Sequence, residues 1–370
     1  MIAPFDPRAL DATLDASLTC IVELYAVHPT LGTVPLTLDT ASLSYDEQRT
    51  PYVSLTGARI AADDAALAAF DETQPVRIRV DVGYFYPGRI RDVHTIALLL
   101  VDHATVARPD GHLVFNAYSD DTLLFDPPWT LPARFTAATR FGDAYRAIIT
   151  AAAGSAAAES AVIPPAQDGA TILDAPDTLA IAYDDSLAAV LRDLADRAGA
   201  SAYHDGMGTW HARSAVIDTT PVAAITPGAR GLVHSSEQHR DRANWGNSLV
   251  IVYRWRDDTD TDRVVVGKAE TLTGPHSVSA VGRKLRPVIV RNVAASQAQA
   301  NNAAQTILRR AMSRRRLVSV EAARALWWIR PRDTITVATP DDTAQPLVVQ
   351  SVTFDLPAAR MNIKTRTPEE

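Results

Sequence analysis

"PVRIRVDVGY", residues 75–84, decides the class of the fold. Val76, Ile78, Val80, Val82 and Tyr84 alternate with Arg77, Arg79 and Asp81, the period of a strand with one buried and one wetted face. Upstream, "TCIVELYAVH" (19–28) and "GTVPLTLDTASLSYD" (32–46) give similar short runs around the turn "HPTLG" (28–32). Downstream, "TIALLLVD" (95–102) is apolar on both faces, and "HLVFNAYSD" (112–120) follows the "PDG" turn at 109–111. Short strands at this spacing predict a barrel or sandwich, not alternating βαβ units.

From residue 126 the pattern changes. "DPPWTLP" (126–132) is too proline-rich for an interior strand. "FGDAYRAIITAAAGSAAAESA" (141–161) starts helical and dissolves into small residues before Pro164-Pro165, which reads as a linker or mobile loop over 150–170. In "DDSLAAVLRDLADRAGA" (184–200), Leu187, Val190, Leu191, Leu194 and Ala198 keep helical spacing; Asp185 or Ser186 can cap the start and Gly199 the end. "SAYHDGMGTWHAR" (201–213) is a hairpin around Asp205-Gly206.

Beyond residue 221 strands return, with "NSLVIVYRWR" (247–256), "RVVVGKAE" (263–270) and runs at 317–323, 333–338, 346–354 and 361–366. The last two form a hairpin across "PAAR" (357–360), and a helix over 294–316 interrupts the series. The expected class is α+β and β-rich. Its expected domains are an N-terminal β-barrel (1–134), a helix, linker and α-plus-hairpin unit (135–220), and a second β-barrel (221–370) with the 294–316 helix inserted.

The totals narrow the function classes. At 370 residues, 47% hydrophobic and 21% charged, the chain is long enough for two or three ordinary cores. A net charge of −7 gives no general attraction to nucleic acid. With Cys20 the only cysteine, neither an intramolecular disulfide nor a thiolate zinc cluster can form, the usage of a reducing compartment. "MIAPFDPRALDATL" has acids and prolines where a secretion signal needs a basic start and an apolar run, and no apolar stretch reaches membrane-spanning length. The expectation is a non-secreted chain without a membrane span.

Catalytic patterns are sparse, and none of the residues below is assigned a catalytic, cofactor or metal role. There is no phosphate-binding GxxxxGK[ST] loop and no GxSxG elbow, and "DGMGTW" (205–210) sits in a hairpin rather than between strand and helix. His204 and His211 flank that hairpin and could face each other across it, which leaves a metal site, and with it a wall hydrolase or metallopeptidase, as one alternative. A Ser235, His239 and Asp241 group carries no weight. Asp341-Asp342 and "DDTDTD" (257–262) resemble pieces of calcium loops but lack the glycine and final acid, so they read as solvated tips. Trp129, Trp210 and Trp255 leave a carbohydrate- or receptor-binding module as the other alternative.

Two features point instead to protein contacts. Arg309, Arg310, Arg314, Arg315 and Arg316 crowd the end of the long helix, where cations oppose the helix dipole. With no interleaved aromatics for nucleic acid, they read as a cap plus a contact surface for an acidic partner. In "RALWWIRPRDTITVATPD" (324–341), adjacent Trp327 and Trp328 read as packing anchors, one capping the second barrel or its helix and the other a candidate to reach a neighbouring subunit.

The order of pieces in the second half carries a resemblance. The helix and hairpin at 186–213 are followed by "NWGNSLVIVYRWR", "GPHSVSAVGRKLRP", "SQAQANNAAQTILRRAM", "ALWWIRPRDTITV" and "VQSVTFDLPAARMNIKTR". This order resembles the hub proteins of bacteriophage tail tips and baseplates, known as minor tail proteins in long-tailed phages, over roughly residues 15–366. "SYDEQRTPYVSLTGARI" (44–60) looks like the first barrel of that family, and Pro331 and Asp333 match its proline, turn and aspartate before a strand. Arg332 stands where the family pattern expects glycine.

The resemblance implies two related barrels per subunit and a trimeric ring of six barrels. That ring would join a sixfold distal tail protein above to a threefold tip below, and pass tape-measure protein and then double-stranded DNA through its lumen. It implies further tail-tip or fibre proteins as partners, no cofactor, assembly in the host cytoplasm and a final place in the virion. Since the sequence ends at Glu370, receptor-binding or wall-degrading activities are expected on other chains.

Overall fold

The computed structural model describes residues 5, 18–70, 74–86, 90–107, 111–126, 130, 134–136, 139–173, 178–183, 185–214, 216–227, 232–240, 245–257, 259–313, 316–339 and 342–368. The N-terminal part supplies strands β1 (Thr19–His28), β2 (Gly32–Leu36), β3 (Leu38–Asp46), β4 (Val53–Ala61), β5 (Arg77–Tyr86), β6 (Ile90–Ala107) and β7 (His112–Tyr118). Short pairs follow: β8 (Phe135–Thr136) with β9 (Thr178–Leu179), and β10 (Ala200–His204) with β11 (Trp210–Ser214). The C-terminal part adds β12 (Pro221–Ile225), β13 (Val233–Arg240), β14 (Ser248–Arg256), β15 (Asp262–Glu270), β16 (Ile289–Arg291), β17 (Arg316–Ala322), β18 (Thr334–Thr339), β19 (Asp342–Leu356) and β20 (Arg360–Arg366).

The alternation read from 75–84 becomes β5. Ile78, Val80, Val82 and Tyr84 are fully buried, while Arg77 reaches Asp120 at 2.6 Å and Arg79 lies over the Tyr25 ring at 4.3 Å. The doubly apolar "TIALLLVD" has a local cause. Between the pairs Val80↔Ala97 and Asp81↔Thr95 the register slips by one residue, so Ile96 and Ala97 are both buried.

Thirteen strands form one sheet, β13-β17-β20-β19-β3-β4-β7-β6-β5-β1-β2, with β12 and β18 attached through β19. All its pairs are antiparallel except β12 on β18. The sequence reading separated two β portions; the structure joins them along β3 and β19, from Ala41↔Leu356 to Asp46↔Ser351. The Ser44 and Thr353 hydroxyls add a cross-strand hydrogen bond of 3.1 Å there. Among the described residues the strand path runs open from β13 to β2. One core contains Leu43, Tyr45 and Tyr84 from the first part together with Trp327, Phe354 and Ile363 from the last.

A second core lies among the Phe141–Ala153 and Leu187–Arg197 helices and the β10–β11 hairpin. Ser186 caps the latter helix, its Oγ accepting from the Ala189 amide at 3.3 Å, and Gly199 closes it at φ +64°. The expected linker at 150–170 is instead packed structure. After Gly154 at φ +90°, short helices span Ser155–Glu159 and Pro165–Asp168, and Ala158 is buried. Val162 joins the hairpin, donating to the Trp210 carbonyl at 2.8 Å and accepting from the Ala212 amide at 3.0 Å. Alanines gave no periodic signal because they pack by closeness rather than by bulk.

The third core lies within the segment expected to form the second barrel. β14, β15 and β16 form a separate sheet, order β15-β14-β16, covered by the Gln297–Ser313 helix. The helix lies so near that a Cβ on Gly267 would sit 2.2 Å from the Ala300 carbonyl oxygen. Ser296 and Gln299 cap its start reciprocally: Ser296 Oγ accepts from the Gln299 amide at 3.3 Å, and Gln299 Oε1 accepts from the Ser296 amide at 3.1 Å. The insertion is thus a whole sheet-and-helix module rather than a helix alone. Alternation identifies a strand but not the sheet it joins.

Candidate functional site

Trp327 and Trp328 sit where the two ends of the chain meet. Trp327 is fully buried; its Nε1 donates to the Gly83 carbonyl at 3.2 Å and its ring centroid lies 5.0 Å from that of Phe354. Tyr84 Oη accepts from the Trp327 amide at 3.3 Å and donates to the Ala325 carbonyl at 2.7 Å. Trp328, 5% exposed, packs edge-on to Tyr84 at 6.4 Å. The structure therefore places both indoles inside the protomer, holding β5 against the C-terminal lobe.

The next residues form a second clamp. Asp333 Oδ2 accepts from the Arg330 amide at 2.8 Å, while the Arg330 guanidinium lies 4.3 Å over the Tyr45 ring. Burial raises the Asp333 carboxyl above its ordinary value. Arg332, standing where glycine was expected, adopts φ +76°. Its guanidinium donates to Ser201 Oγ at 2.5 Å and to the Ser214 carbonyl, tying the hairpin module to the C-terminal lobe.

The arginine cluster divides. Arg309 is exposed; Arg314 and Arg315 lie outside the described residues, as does the side chain of Arg316. Arg310 turns inward, bonding Asp196 at 2.7 Å and the Ala200 carbonyl at 2.6 Å. It belongs to a buried network the sequence reading missed. Asp193 pairs with Arg197 at 2.6 Å, accepts from Tyr253 Oη at 2.8 Å and meets Arg291, which also holds Asp196 at 2.9 Å. Arg197 donates to the Ala294 carbonyl at 2.7 Å and lies 4.9 Å over the Tyr253 ring. Asp193 and Arg197 at i and i+4 were the available signal. Their partners on β14 and β16 were not, since spacing says nothing about contacts sixty to a hundred residues away.

The two histidines do not meet. His204 pairs with Trp210 and His211 with Tyr203, so neighbouring positions put the histidines on opposite faces of the hairpin. His204 Nδ1 accepts from the Asp120 and Gly206 amides, each at 3.2 Å, and burial lowers its pKa. His211 binds Asp205 at 3.1 Å and stacks on Tyr203. Among the described residues no group of three or more His, Cys, Asp or Glu side chains is placed to hold a metal ion.

The remaining candidates are spent locally. Asp257 accepts from the Thr259 hydroxyl at 2.6 Å, from Arg263 and from the Thr261 and Thr259 amides, contacts that lower its pKa and organise the tip. Asp258, Asp341 and Asp241 lie outside the described residues, as do Trp129 and the His239 side chain, and Ser235 bonds Glu321 at 3.0 Å. Trp210 is buried in the second core, and Trp255 packs half-buried against the third.

A buried acid absent from the sequence reading sits nearby. Asp121 accepts from the Tyr52 amide at 2.8 Å and from Ser119 Oγ at 2.6 Å. Burial pushes its pKa up to about 7 despite those hydrogen bonds. Asp121 lines a cavity of about 330 Å³ where all three cores converge, which Arg310, Arg332 and Arg366 also line.

Among solved structures, the chain is similar over 94% of its length to the 43 kDa tail protein of prophage MuSo2 from Shewanella oneidensis. That match covers 99% of the other chain, with a TM-score of 0.64 and 12% identity. A tail protein from Neisseria meningitidis MC58 matches over 93% of this chain and 96% of its own, with a TM-score of 0.63 and 11% identity. The chain has a phage tail-protein fold. Prophage tail protein gp18 from Listeria monocytogenes EGD-e shares it more distantly, with a TM-score of 0.52 and 9% identity over 94% of this chain and 95% of that one. No protein-family model matches the sequence, and no curated protein matches it. The tail-protein fold thus extends across nearly the whole chain at identities where side chains have been almost entirely exchanged. Among the described residues, no helix is long and apolar enough to cross a membrane.

Proposed function

We propose that this chain is a structural, non-enzymatic hub of a phage tail tip or baseplate. In this reading three copies form a ring that adapts the sixfold tail to a threefold tip, and its lumen passes tape-measure protein and DNA. The β3–β19 seam carries the reading: it joins two strand-rich lobes into one continuous sheet per subunit. Six such lobes around an axis would present pseudo-sixfold docking surfaces from three chains. The near end-to-end similarity to two tail proteins supports the tail assignment. The distribution of functional side chains also supports a structural role, because the conspicuous polar groups bind one another across module boundaries.

The ring's neighbours would be the distal tail protein, the tape-measure protein and further tip or fibre proteins. A subunit with net charge −7 suits a channel that must not grip phosphate. The test is composition: purified tails, stripped of free protein, are analysed by mass spectrometry and labelled with an antibody to this chain. Labelling confined to the distal tip supports the proposal. Absence from the particle, or decoration along the tube, contradicts it.

A further inference from the structure

We infer that the three-way cavity is a docking site for an acidic segment of a partner polypeptide. Seven arginines and three acids line its roughly 330 Å³, a strong local excess of positive charge in a chain that is negative overall. Part of that charge is already matched: Arg291 and Arg310 hold Asp196, and Arg366 holds Glu47 at 2.8 Å. Two guanidinium groups from different modules are not. Among the described residues neither Arg192, on the Leu187–Arg197 helix, which donates to the Thr50 hydroxyl at 3.0 Å, nor the Arg286 side chain, just before β16, has a carboxylate partner.

The wall chemistry selects the class of ligand. Guanidinium groups bind carboxylate and phosphate alike, in paired hydrogen bonds. Between the arginines, however, part of the wall is apolar, with Leu124, Leu191 and Ile307 beside Thr50 and Ser201. A free phosphate would use none of that surface, whereas a peptide carrying acidic and aliphatic side chains would use both. Tyr203, 7% exposed, also lines the cavity, and its Oη has no hydrogen-bond partner among the described residues. The volume admits a few side chains and excludes a duplex. An occupant would touch all three modules at once and stiffen their arrangement, whichever particle the protein serves.

Titration calorimetry on the full-length protein tests the inference. The probes are an alternating leucine–glutamate hexapeptide, its leucine–glutamine counterpart and inorganic phosphate. The glutamate peptide is expected to bind saturably, the glutamine peptide not to bind, and phosphate to bind more weakly. The Arg192→Gln/Arg286→Gln double variant is expected to weaken the glutamate peptide by about tenfold or more. Arg192 is exposed and Arg286 half-buried, and an unchanged circular dichroism melt confirms a folded variant. No saturable binding of the glutamate peptide, equal binding of phosphate, or an affinity indifferent to the two substitutions would each overturn the inference. None of these results bears on whether the chain is a tail component.

Discussion

Trp327 Nε1 donates to the carbonyl oxygen of Gly83 at 3.2 Å, joining residues 244 positions apart. The contact needs glycine as well as tryptophan, because a Cβ on residue 83 would sit 1.9 Å from the Asp92 carbonyl oxygen. The bond therefore ties the last lobe to a point of the first where β5 and β6 approach too closely for a side chain.

Trp327→Ala is expected to destabilise the protein by ~3–5 kcal/mol, through lost transfer energy and the cavity left behind. Gly83→Ala is expected to prise β5 from β6 and cost a comparable amount. Chemical denaturation of both variants checks this. A loss below ~1 kcal/mol for Trp327→Ala would show that the two ends of the chain do not depend on the indole.

Arg332 holds a left-handed backbone and makes the contacts that fasten the hairpin module. Replacing it separates these effects. Arg332→Ala keeps the strain and loses the contacts, whereas Arg332→Gly loses both. The glycine variant is therefore expected to be more stable than the alanine variant by ~1 kcal/mol. Equal stabilities, measured by urea midpoint, would remove strain from the account.

Asp196 receives both Arg291 and Arg310 while 2% exposed. Asp196→Asn keeps the shape and removes the charge, leaving two guanidinium groups under-compensated. The expected cost is ~3–5 kcal/mol, with the third module loosening first. Hydrogen exchange reads the location: faster exchange confined to residues 248–313 fits, and uniform loss across the large sheet does not.

Asp121 makes stability depend on pH with a defined sign. Its folded pKa, about 7, lies above the ~3.9 of an unfolded aspartate. The stabilising contribution is thus complete below pH ~4 and is lost as pH rises through about 7. Relative to Asp121→Asn, the wild type is expected to lose up to ~1.4 kcal/mol per pH unit across that window and then level off. His204 and the Arg77–Asp120 pair lie beside Asp121, and His204 titrates in the opposite sense, so the difference between the two proteins is the quantity to follow. A difference that does not change with pH would mean Asp121 is ionised throughout.

Much of this was legible in the sequence because it is periodic or local. The alternation at 75–84 gave β5, the helical spacing at 187–198 gave the buried helix, and Asp205-Gly206 gave the hairpin. What escaped was long-range. Nothing in β3 or β19 names the other as partner, and nothing in "NSLVIVYRWR" says that β14 leaves the large sheet for the helix at 297–313. Similarly, Arg310 looked like a surface cation at a helix end, and its bond to Asp196 spans 114 residues. Two histidines drawn as facing each other fell on opposite faces because their pairing register was one residue from the one that would have aligned them.

Copy number at the particle axis tests the hub role most directly. Cryo-electron microscopy of intact tails, with the tip reconstructed without imposed symmetry, should show this chain three times around the channel. Each copy should contribute two strand-rich lobes joined along β3 and β19. A reconstruction in which the chain is off the axis, or present in a number not divisible by three, would contradict it.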